Sequence, residues 1–528
     1  MNPRVAAIFV VAALLTVACG TEPPSAAPLL VTTTSAPAPG DIATPNSSPS
    51  SSSSSSSSTS AAPLPPVEIA QIDCPIDLSR SDGVGVACGV ITVPVDRTDA
   101  SVGTTRVTLA TVAGYDSGFD TPAAVLQGGP GGASSDLATW FPQQPFTQVF
   151  VDQRGTGFVG SDFDCPEILD AIGRILSSNS AEAGIVAQNA YADCGRRIDD
   201  DIVLQHTESE EHATDVADAM AALGYDRWVA YGVSYGSTIG LELMRDEPAG
   251  LVGVVLDGVY PPELDADAGL AFSAARALDE LDAVCAADAI CRRYLSDGSV
   301  KATLERVMEE LDADPMIVEL GGNRIGYTSD IDLVLDGRRV AEFTFLLMYQ
   351  EAWMRYLPAV LGSLDDRDQS SARWMATIGA RTLISSQEAN DEGTYLAVQC
   401  HDRLPFTAGP GDDLEPFPAA VAAASLKGIC GDLDHELAPP AAGEPVESSL
   451  PALLLSGRFD PITPPEYAED VAARLENATV VEQDGRGHGI WFGSECIAQI
   501  VFLFVEDPAR QLDTTCADEG ELVEWARP

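Results

Sequence analysis

Short apolar runs alternate with stretches of helical spacing along much of the chain. The runs, each followed closely by glycine, are 123–126, 148–151, 228–231, 251–256, 452–457 and 478–481. Between two of them, helical spacing on one face is shown by Ala213, Val216, Met220 and Leu223. This alternation predicts a mostly parallel sheet with helices on both faces. Two earlier β-branched runs, 85–95 and 105–112, predict an antiparallel entry hairpin.

The alternation stops in one long internal region. Residues 264–444 have mostly helical patterns and few strand signals, and the strand–helix alternation resumes at Pro451. We therefore predict a helical cap of residues 264–444, inserted between two parts of an α/β core, 67–263 and 445–528. A separate second domain is the alternative.

One sharp turn carries the first candidate for chemistry. The strand at 228–231 runs into Gly232-Val233-Ser234-Tyr235-Gly236, and helical spacing follows it. Gly-x-Ser-x-Gly between a strand and a helix is the nucleophile elbow, in which the small glycines leave the serine hydroxyl exposed. A plain turn around Ser234 is the alternative interpretation, because this short motif also arises by chance.

Two later strand ends supply the other groups that a serine nucleophile needs. Asp460 follows the strand 452–457, and His488 lies in a glycine-rich loop after the strand 478–481. The chain order Ser234, Asp460, His488 is the order of α/β-hydrolase triads. In such a triad the histidine takes the serine proton, and the aspartate fixes the tautomer of the imidazole.

Each of these residues has a competing interpretation. Asp460 could instead cap a helix that starts near Pro464. Four other histidines are present: His206 and His212 precede the serine and are predicted to be solvated, whereas His401 and His435 fall in the cap, out of order. His488 follows Asp460 in the chain and lies in a loop at the end of a predicted strand. We therefore predict the triad Ser234, Asp460 and His488.

The charge of the chain excludes some classes of function. It has 80 acidic and 29 basic residues, a formal net charge of −51. Such a charge disfavours binding of nucleic acid or of an anionic membrane surface, and it attracts cationic groups such as a free amine.

The first nineteen residues have the pattern of an export signal. Arg4 is followed by a short apolar run, 5–17, which is too short to span a bilayer, and Ala18 and Cys19 form a small-residue cleavage site. The segment resembles a bacterial lipobox, so Cys19 is the predicted lipidation site; Thr16 is unusual there, and simple secretion is the alternative. Residues 20–66, rich in Ser, Thr, Ala and Pro, predict a disordered linker.

Ten further cysteines fall into close sequential pairs. We predict disulfides, which an oxidising compartment would favour, although spacing does not prove connectivity: 74–88, 165–194, 285–291, 400–430 and 496–516. Metal ligation is disfavoured because no Cys-x-x-Cys motif or cluster of histidines is present. We expect no cofactor and no metal, and the oligomeric state is left open.

Several motifs together resemble one family. They are Gly128-Gly129-Pro130-Gly131, Asp152-Gln153-Arg154-Gly155, the elbow, the Asp460 loop and Gly487-His488. Together, and in this chain order, they resemble the motifs of the proline iminopeptidase and tripeptidyl-aminopeptidase family of secreted serine peptidases. The entry strands and the last two cysteines resemble those of its actinobacterial lipoprotein branch.

The resemblance implies an α/β-hydrolase core with a cap and cleavage near a free N-terminus. It also implies an oxyanion hole formed by the backbone N–H groups of Gly129 and Tyr235. Those relatives often have histidine where Gln127 stands, and they bind the substrate amine with a carboxylate of the cap. Asp402 is the candidate for that role here, with an ordinary structural aspartate as the alternative. Asp152 and Arg154 are expected to hold their loop in place through an ion pair.

These observations predict a membrane-tethered or secreted serine aminopeptidase that acts on peptide or protein N-termini through an acyl-enzyme on Ser234. An esterase of the same fold is the alternative, because ester and amide hydrolysis use the same groups. A non-catalytic binding lipoprotein is the third hypothesis.

Overall fold

The computed structural model describes residues 66–75, 78, 80–116, 118–159, 163–198, 201–423, 426–430, 437–491, 493–518 and 523–527. The predicted export signal, Cys19, almost all of the predicted linker and His435 lie outside these residues. The strands are β1 Glu68–Ile72, β2 Val86–Pro94, β3 Thr104–Val112, β4 Ala123–Leu126, β5 Gln148–Val151, β6 Trp228–Val233, β7 Leu251–Asp257, β8 Met316–Leu320, β9 Ile331–Leu335, β10 Ser448–Gly457 and β11 Leu475–Gln483.

The helices of the core and of the cap are numbered in chain order. They are α1 Ser134–Leu137, α2 Pro166–Ser177, α3 Ser180–Ile198, α4 Ser209–Ala222, α5 Tyr235–Asp246, α6 Ala266–Ala287, α7 Val300–Ala313, α8 Gly322–Ile325, α9 Gly337–Met348, α10 Glu351–Met354, α11 Leu357–Asp365, α12 Gln369–Ala389, α13 Glu392–Val398, α14 Pro416–Val421, α15 Leu426–Cys430, α16 Pro465–Ala472, α17 Glu495–Glu506 and α18 Thr515–Asp518. A π-helical turn, Gln399–Arg403, extends α13.

The main sheet has nine strands in the order β1-β2-β3-β5-β4-β6-β7-β10-β11. The six strands β5, β4, β6, β7, β10 and β11 run parallel. The strands β2 and β3 form the antiparallel entry hairpin that the sequence predicted, and β1 adds an antiparallel strand that it did not predict. Because parallel strands share one carboxyl edge, the loops after β4, β5, β6, β10 and β11 meet there. This is the α/β-hydrolase fold predicted from the sequence.

Alternate residues of the strands pack on opposite faces of the sheet. Ala124 and Leu126 of β4 belong to the apolar cluster that includes residues of α4, α5 and α16, whereas Ala123 and Val125 belong to the cluster that includes α17. A strand buried on both faces must be apolar at every position, which explains the continuous runs seen in the sequence.

The cap has its own apolar core. It contains most of the helices between α6 and α15, and also α2 and α3, which precede the elbow in sequence. It includes the antiparallel hairpin of β8 and β9, in which buried and exposed residues alternate in β8. The predicted boundaries placed α2 and α3 in the core and foresaw few strands in the cap, so the structure adds these two helices and the hairpin to it.

All five predicted disulfides are present, namely Cys74–Cys88, Cys165–Cys194, Cys285–Cys291, Cys400–Cys430 and Cys496–Cys516. Within the described part of the chain, no helix is both long enough and apolar enough to cross a membrane.

Candidate active site

Ser234 stands at the junction of β6 and α5 in a strained backbone conformation. Its φ is 58° and its ψ is −125°, a region that costs a non-glycine residue about 1–3 kcal/mol. A Cβ on Gly232 would overlap the carbonyl oxygen of Gly236, so the turn can be this tight only with glycine there. The turn therefore has the geometry of the predicted elbow, and the Ser234 side chain is only half-buried.

His488 and Asp460 come together at the carboxyl edge of the sheet. The Nδ1 atom of His488 lies 2.8 Å from Oδ2 of Asp460, whose side chain is fully buried. The Asp460 Oδ1 atom accepts hydrogen bonds from the backbone N–H groups of Ile462 and Thr463, and the Thr463 hydroxyl donates to Oδ2. Asp460 does not occupy the cap position of α16, because Pro464 does.

The charge of Asp460 acts on the imidazole of His488. Burial alone would lower the pKa of His488, but the neighbouring Asp460 carboxylate raises it above its ordinary value. With Nδ1 directed to Asp460, Nε2 is the ring nitrogen left to exchange a proton with a reacting group.

Asp257, at the end of β7, holds the histidine loop. Its carboxylate accepts hydrogen bonds from the backbone N–H groups of Ile490 and Trp491 and from the hydroxyl of Tyr231. Its carbonyl oxygen accepts from the N–H of Ser234 at 2.9 Å. One buried residue thus joins the elbow to the loop of His488.

The glycine-rich loop after β4 passes directly beside Ser234. A Cβ on Gly128 would lie 2.7 Å from the Cβ of Ser234, so only glycine allows this approach. Tyr235 is the first residue of α5, where a backbone N–H has no partner within the helix. The loop that carries Gly129 and the start of α5 therefore border the same serine.

Gln153 holds that loop in shape. Its Nε2 atom donates to the carbonyl oxygens of Gln127, Gly128 and Gly132, and its Oε1 atom accepts from the N–H of Gly131 at 2.8 Å. The sequence motif indicated roles for the neighbours Asp152 and Arg154 but none for Gln153. A side-chain amide offers donors and an acceptor together, which suits a loop with both kinds of backbone group.

Arg154 and Asp152 have separate structural partners. The buried guanidinium of Arg154 bonds Asp215 at 2.6 Å and Glu211 at 2.6 Å, both on α4. Asp152 accepts hydrogen bonds from Thr108 and from the backbone N–H of Ser135. Burial raises the pKa of Asp152 to about 7. Arg154 therefore forms an ion pair with α4 as expected, whereas Asp152 is held by hydrogen bonds instead of the expected ion pair.

The cap contacts the site at two places. The backbone N–H of His488 donates to the carbonyl oxygen of Tyr349, and the Tyr349 ring meets the imidazole edge to face at 5.2 Å. On the other side, the N–H of Asp391 donates to the carbonyl oxygen of Gly131 at 2.8 Å. Burial raises the pKa of Asp391 to about 7.

Asp402 lies in the π-helical turn of the cap and already has partners. Its Oδ1 atom is 2.6 Å from Nδ1 of His401, and its Oδ2 atom accepts from the hydroxyl and the N–H of Ser209. It lines a cavity of about 470 Å³ beside α5, together with Glu208, Thr238 and others. Among the described residues around that cavity Ser234 is not found, and the role of Asp402 in amine binding stays a prediction.

The prediction that His212 is solvated is wrong. Its side chain is 2% exposed, because its face of α4 packs against α5, and its Nδ1 atom lies 3.0 Å from the Tyr235 hydroxyl. Burial lowers the pKa of His212 to about 4. Helical spacing alone could have indicated this, since His212 precedes Val216 by four residues.

Within the described residues, one cluster has the spacing of metal ligands: Cys165, Glu167 and Cys194. The two cysteines form a disulfide, so their sulfur atoms are not available as thiolate ligands.

Comparison with known proteins agrees with this geometry. Residues 415–516 match the family described as TAP-like protein. Over 455 residues the chain is 24% identical to the serine protease Hip1 of Mycobacterium tuberculosis, covering 80% of this chain and 85% of that protein.

The chain has the α/β-hydrolase fold and is similar to TAP-like proteins. Over 139 residues the chain is also 30% identical to a Streptomyces coelicolor protein named "Probable proline iminopeptidase", covering 26% of this chain and 32% of that one. Among solved structures, the proline iminopeptidase of Mycobacterium smegmatis aligns with a TM-score of 0.38 and 16% identity, over 79% of this chain and 98% of that one. The family match and the relatives, together with the fold, support a serine hydrolase.

Proposed function

We propose that this chain is an exported serine aminopeptidase that hydrolyses peptide bonds near a free N-terminus through an acyl-enzyme on Ser234. The observation that carries the proposal is the 2.8 Å contact between His488 and Asp460, on the same sheet edge as the strained Ser234.

The chemistry follows from these positions. The Nε2 atom of His488 takes the Ser234 proton as the hydroxyl oxygen attacks the peptide carbonyl carbon, and Asp460 stabilises the imidazolium. The backbone N–H groups of Gly129 and Tyr235 stabilise the negative oxygen of the tetrahedral intermediate. The imidazolium then gives its proton to the leaving amine, and a water molecule, activated by His488, releases the peptide from Ser234.

Two observations support cleavage near a chain end. Cap residues contact the His488 loop through Tyr349 and the glycine-rich loop through Asp391, so the cap borders the serine from two sides. A chain end enters such a covered site more readily than the middle of a folded protein. The net charge of −51 also favours a substrate with a free ammonium group.

Matched peptides test the proposal. Di- and tripeptide anilides with a free amine should be hydrolysed by the wild-type chain, and their N-acetylated forms should have a kcat/KM at least about 30-fold lower, because a buried carboxylate would lose its charged partner. Equal rates on both forms would refute the exopeptidase assignment. Turnover of p-nitrophenyl esters far above that of the peptides would favour the esterase, and failure of a fluorophosphonate to label Ser234 would favour a binding protein.

Export is supported by the five disulfides, which are typical of oxidising compartments. Lipidation at Cys19 is tested by growth of cells with an alkyne fatty acid. The wild-type chain should become labelled and sediment with membranes, and Cys19→Ser should do neither. An unlabelled wild-type chain in the medium would indicate simple secretion.

A further inference from the structure

Four side chains form a chain of hydrogen bonds from the cap to the elbow. We call them the Tyr235 network: Asp402, Ser209, Tyr235 and His212. The Ser209 hydroxyl is 2.5 Å from Asp402 Oδ2 and 2.9 Å from the Tyr235 hydroxyl, which is 3.0 Å from His212 Nδ1. Tyr235 directly follows Ser234, so the network includes the residue beside the proposed nucleophile.

The direction of every bond in the network follows from its end at Asp402. Hydrogen bonds from His401 and Ser209 hold the pKa of Asp402 below its ordinary value, although burial alone would raise it, so the carboxylate can only accept. The Ser209 hydroxyl must then donate to Asp402, and the Tyr235 hydroxyl must donate to Ser209. The Tyr235 oxygen is left to accept from the Nδ1–H group of His212.

This direction also accounts for the other nitrogen of His212. Burial keeps the ring neutral, and a neutral imidazole with its proton on Nδ1 has a lone pair on Nε2. Among the described residues Nε2 has no hydrogen-bond partner. A buried lone pair without a donor is tolerated better than a buried N–H without an acceptor.

The network is buried and fixed at both ends. Tyr235, His212 and Ser209 are 1%, 2% and 6% exposed. The N–H of Ser209 also donates to Asp402, which places the carboxylate at the N-terminus of α4. Next to Asp402, the Arg403 guanidinium donates to the carbonyl oxygen of Pro261 and to the hydroxyl of Thr238 on α5. The π-helical turn of the cap is thus bonded to the elbow helix and to α4.

We propose that the Tyr235 network positions the oxyanion-binding N–H of Tyr235 and so couples the cap to catalysis. Fixing the phenol hydroxyl restricts rotation of the Tyr235 side chain and of the first turn of α5, which carries the N–H. Misplacing such a donor weakens its bond to the developing oxyanion. Asp402, Ser209 and His212 are then positioning residues, and the inference rests on the proposed function of Ser234.

This role differs measurably from amine binding by Asp402. An amine-binding Asp402 would act on KM and only on substrates with a free amine. The Tyr235 network would act on kcat and equally on every acyl substrate, because the oxyanion forms in all of them.

Four variants and a control separate these outcomes. Tyr235→Phe and Ser209→Ala break the network with little loss of volume, Asp402→Ala removes its acceptor, and Asp402→Asn keeps an acceptor oxygen for Ser209. Tyr467→Phe is the control, since its hydroxyl is likewise buried 3.0 Å from a serine hydroxyl, that of Ser273. Each is assayed on a free-amine peptide anilide and on p-nitrophenyl acetate, with thermal unfolding recorded.

We expect Tyr235→Phe, Ser209→Ala and Asp402→Ala to lower kcat about 10-fold on both substrates, short of the ~10²–10³ seen when an oxyanion donor is lost outright. KM should change less than about 2-fold, and Asp402→Asn should recover most of kcat. Tyr467→Phe should keep the wild-type kcat.

Other results would overturn the inference. Folded Tyr235→Phe and Ser209→Ala variants with wild-type kcat would do so, as would an Asp402→Asn variant in which only the KM for the free-amine substrate rises. A wild-type chain that a fluorophosphonate does not label at Ser234 would instead refute the proposed function, and the inference with it.

Discussion

The carbonyl oxygen of Tyr349 accepts a hydrogen bond from the backbone N–H of His488 at 2.8 Å, and the Tyr349 ring packs edge to face on the imidazole. Tyr349 directly follows α9 of the cap, so the cap contributes to the position of the proposed general base. The insertion is therefore part of the site as well as its cover.

Loss of the Tyr349 ring should impair catalysis. Tyr349→Ala should lower kcat about 10-fold, because the imidazole of His488 loses the surface that restricts its rotation. Tyr349→Phe keeps the ring and should retain the wild-type kcat; its hydroxyl is buried without a hydrogen-bond partner in the described part of the chain. Steady-state kinetics on a peptide anilide measures both. Equal losses in the two variants would show that the ring contact has no such role.

The pH dependence of kcat/KM should reflect the effect of the Asp460 charge on His488. A general base must be neutral, so kcat/KM should rise as the pH passes through the His488 pKa, which Asp460 raises above the ordinary 6.5. Asp460→Asn removes that negative charge, so the acidic limb should move to lower pH while the plateau falls about 10⁴-fold. Asp484→Asn is the control, since Asp484 is exposed and pairs with Arg458. An acidic limb that does not move would contradict the coupling.

Gln153 should matter through the shape of the glycine-rich loop. Gln153→Ala removes the side-chain hydrogen bonds to four backbone groups of that loop, so kcat should fall about 10- to 100-fold as the Gly129 N–H moves. Gln143→Ala, which removes a bond to the carbonyl oxygen of Ala113 only, should leave kcat unchanged. Peptide hydrolysis tests both, and a fully active Gln153→Ala variant would argue against the loop as an oxyanion site.

Arg154 should contribute to stability. Arg154→Met removes the fully buried cation from Asp215 and Glu211, which keep only the partly exposed Arg97, so the free energy of unfolding should fall by about 3 kcal/mol. Arg196→Met breaks an ion pair with Asp193 in which both side chains are more than half exposed, and it should cost less than about 1 kcal/mol. Urea unfolding monitored by circular dichroism gives both values. Similar losses of unfolding free energy in the two variants would contradict the expectation that the buried ion pair contributes more than the exposed one.

Much of the fold was predictable because its signals are local. The parallel strands, the elbow around Ser234 and the loops of Asp460 and His488 all follow from runs of apolar residues that end at glycine. The five disulfides were predictable because each pair is close in sequence. The catalytic roles of these three residues stay predictions, although the structure brings Asp460 and His488 together as the chain order suggested.

What was missed depends on contacts between distant parts of the chain. Gln153 was overlooked because its four partners lie 21 to 26 residues before it, in another loop. The burial of His212 depends on α5, and the partners of Asp402 depend on Ser209, which is 193 residues away. The packing of α2 and α3 on the cap likewise arises from contacts with residues after the elbow.

The sequence by itself determined the order of strands and helices, the strand ends that carry the reactive side chains, and the cysteine pairs. These features depend on hydrophobic periodicity, on glycine at tight turns and on short sequence separations between cysteines. Each is determined by residues that are close together in the chain. Only the tertiary structure decided that Tyr349 contacts His488 and that Asp402 bonds Ser209 rather than remaining open to solvent. Such contacts form where loops of the core and of the cap meet, and the partners there are chosen by packing in three dimensions.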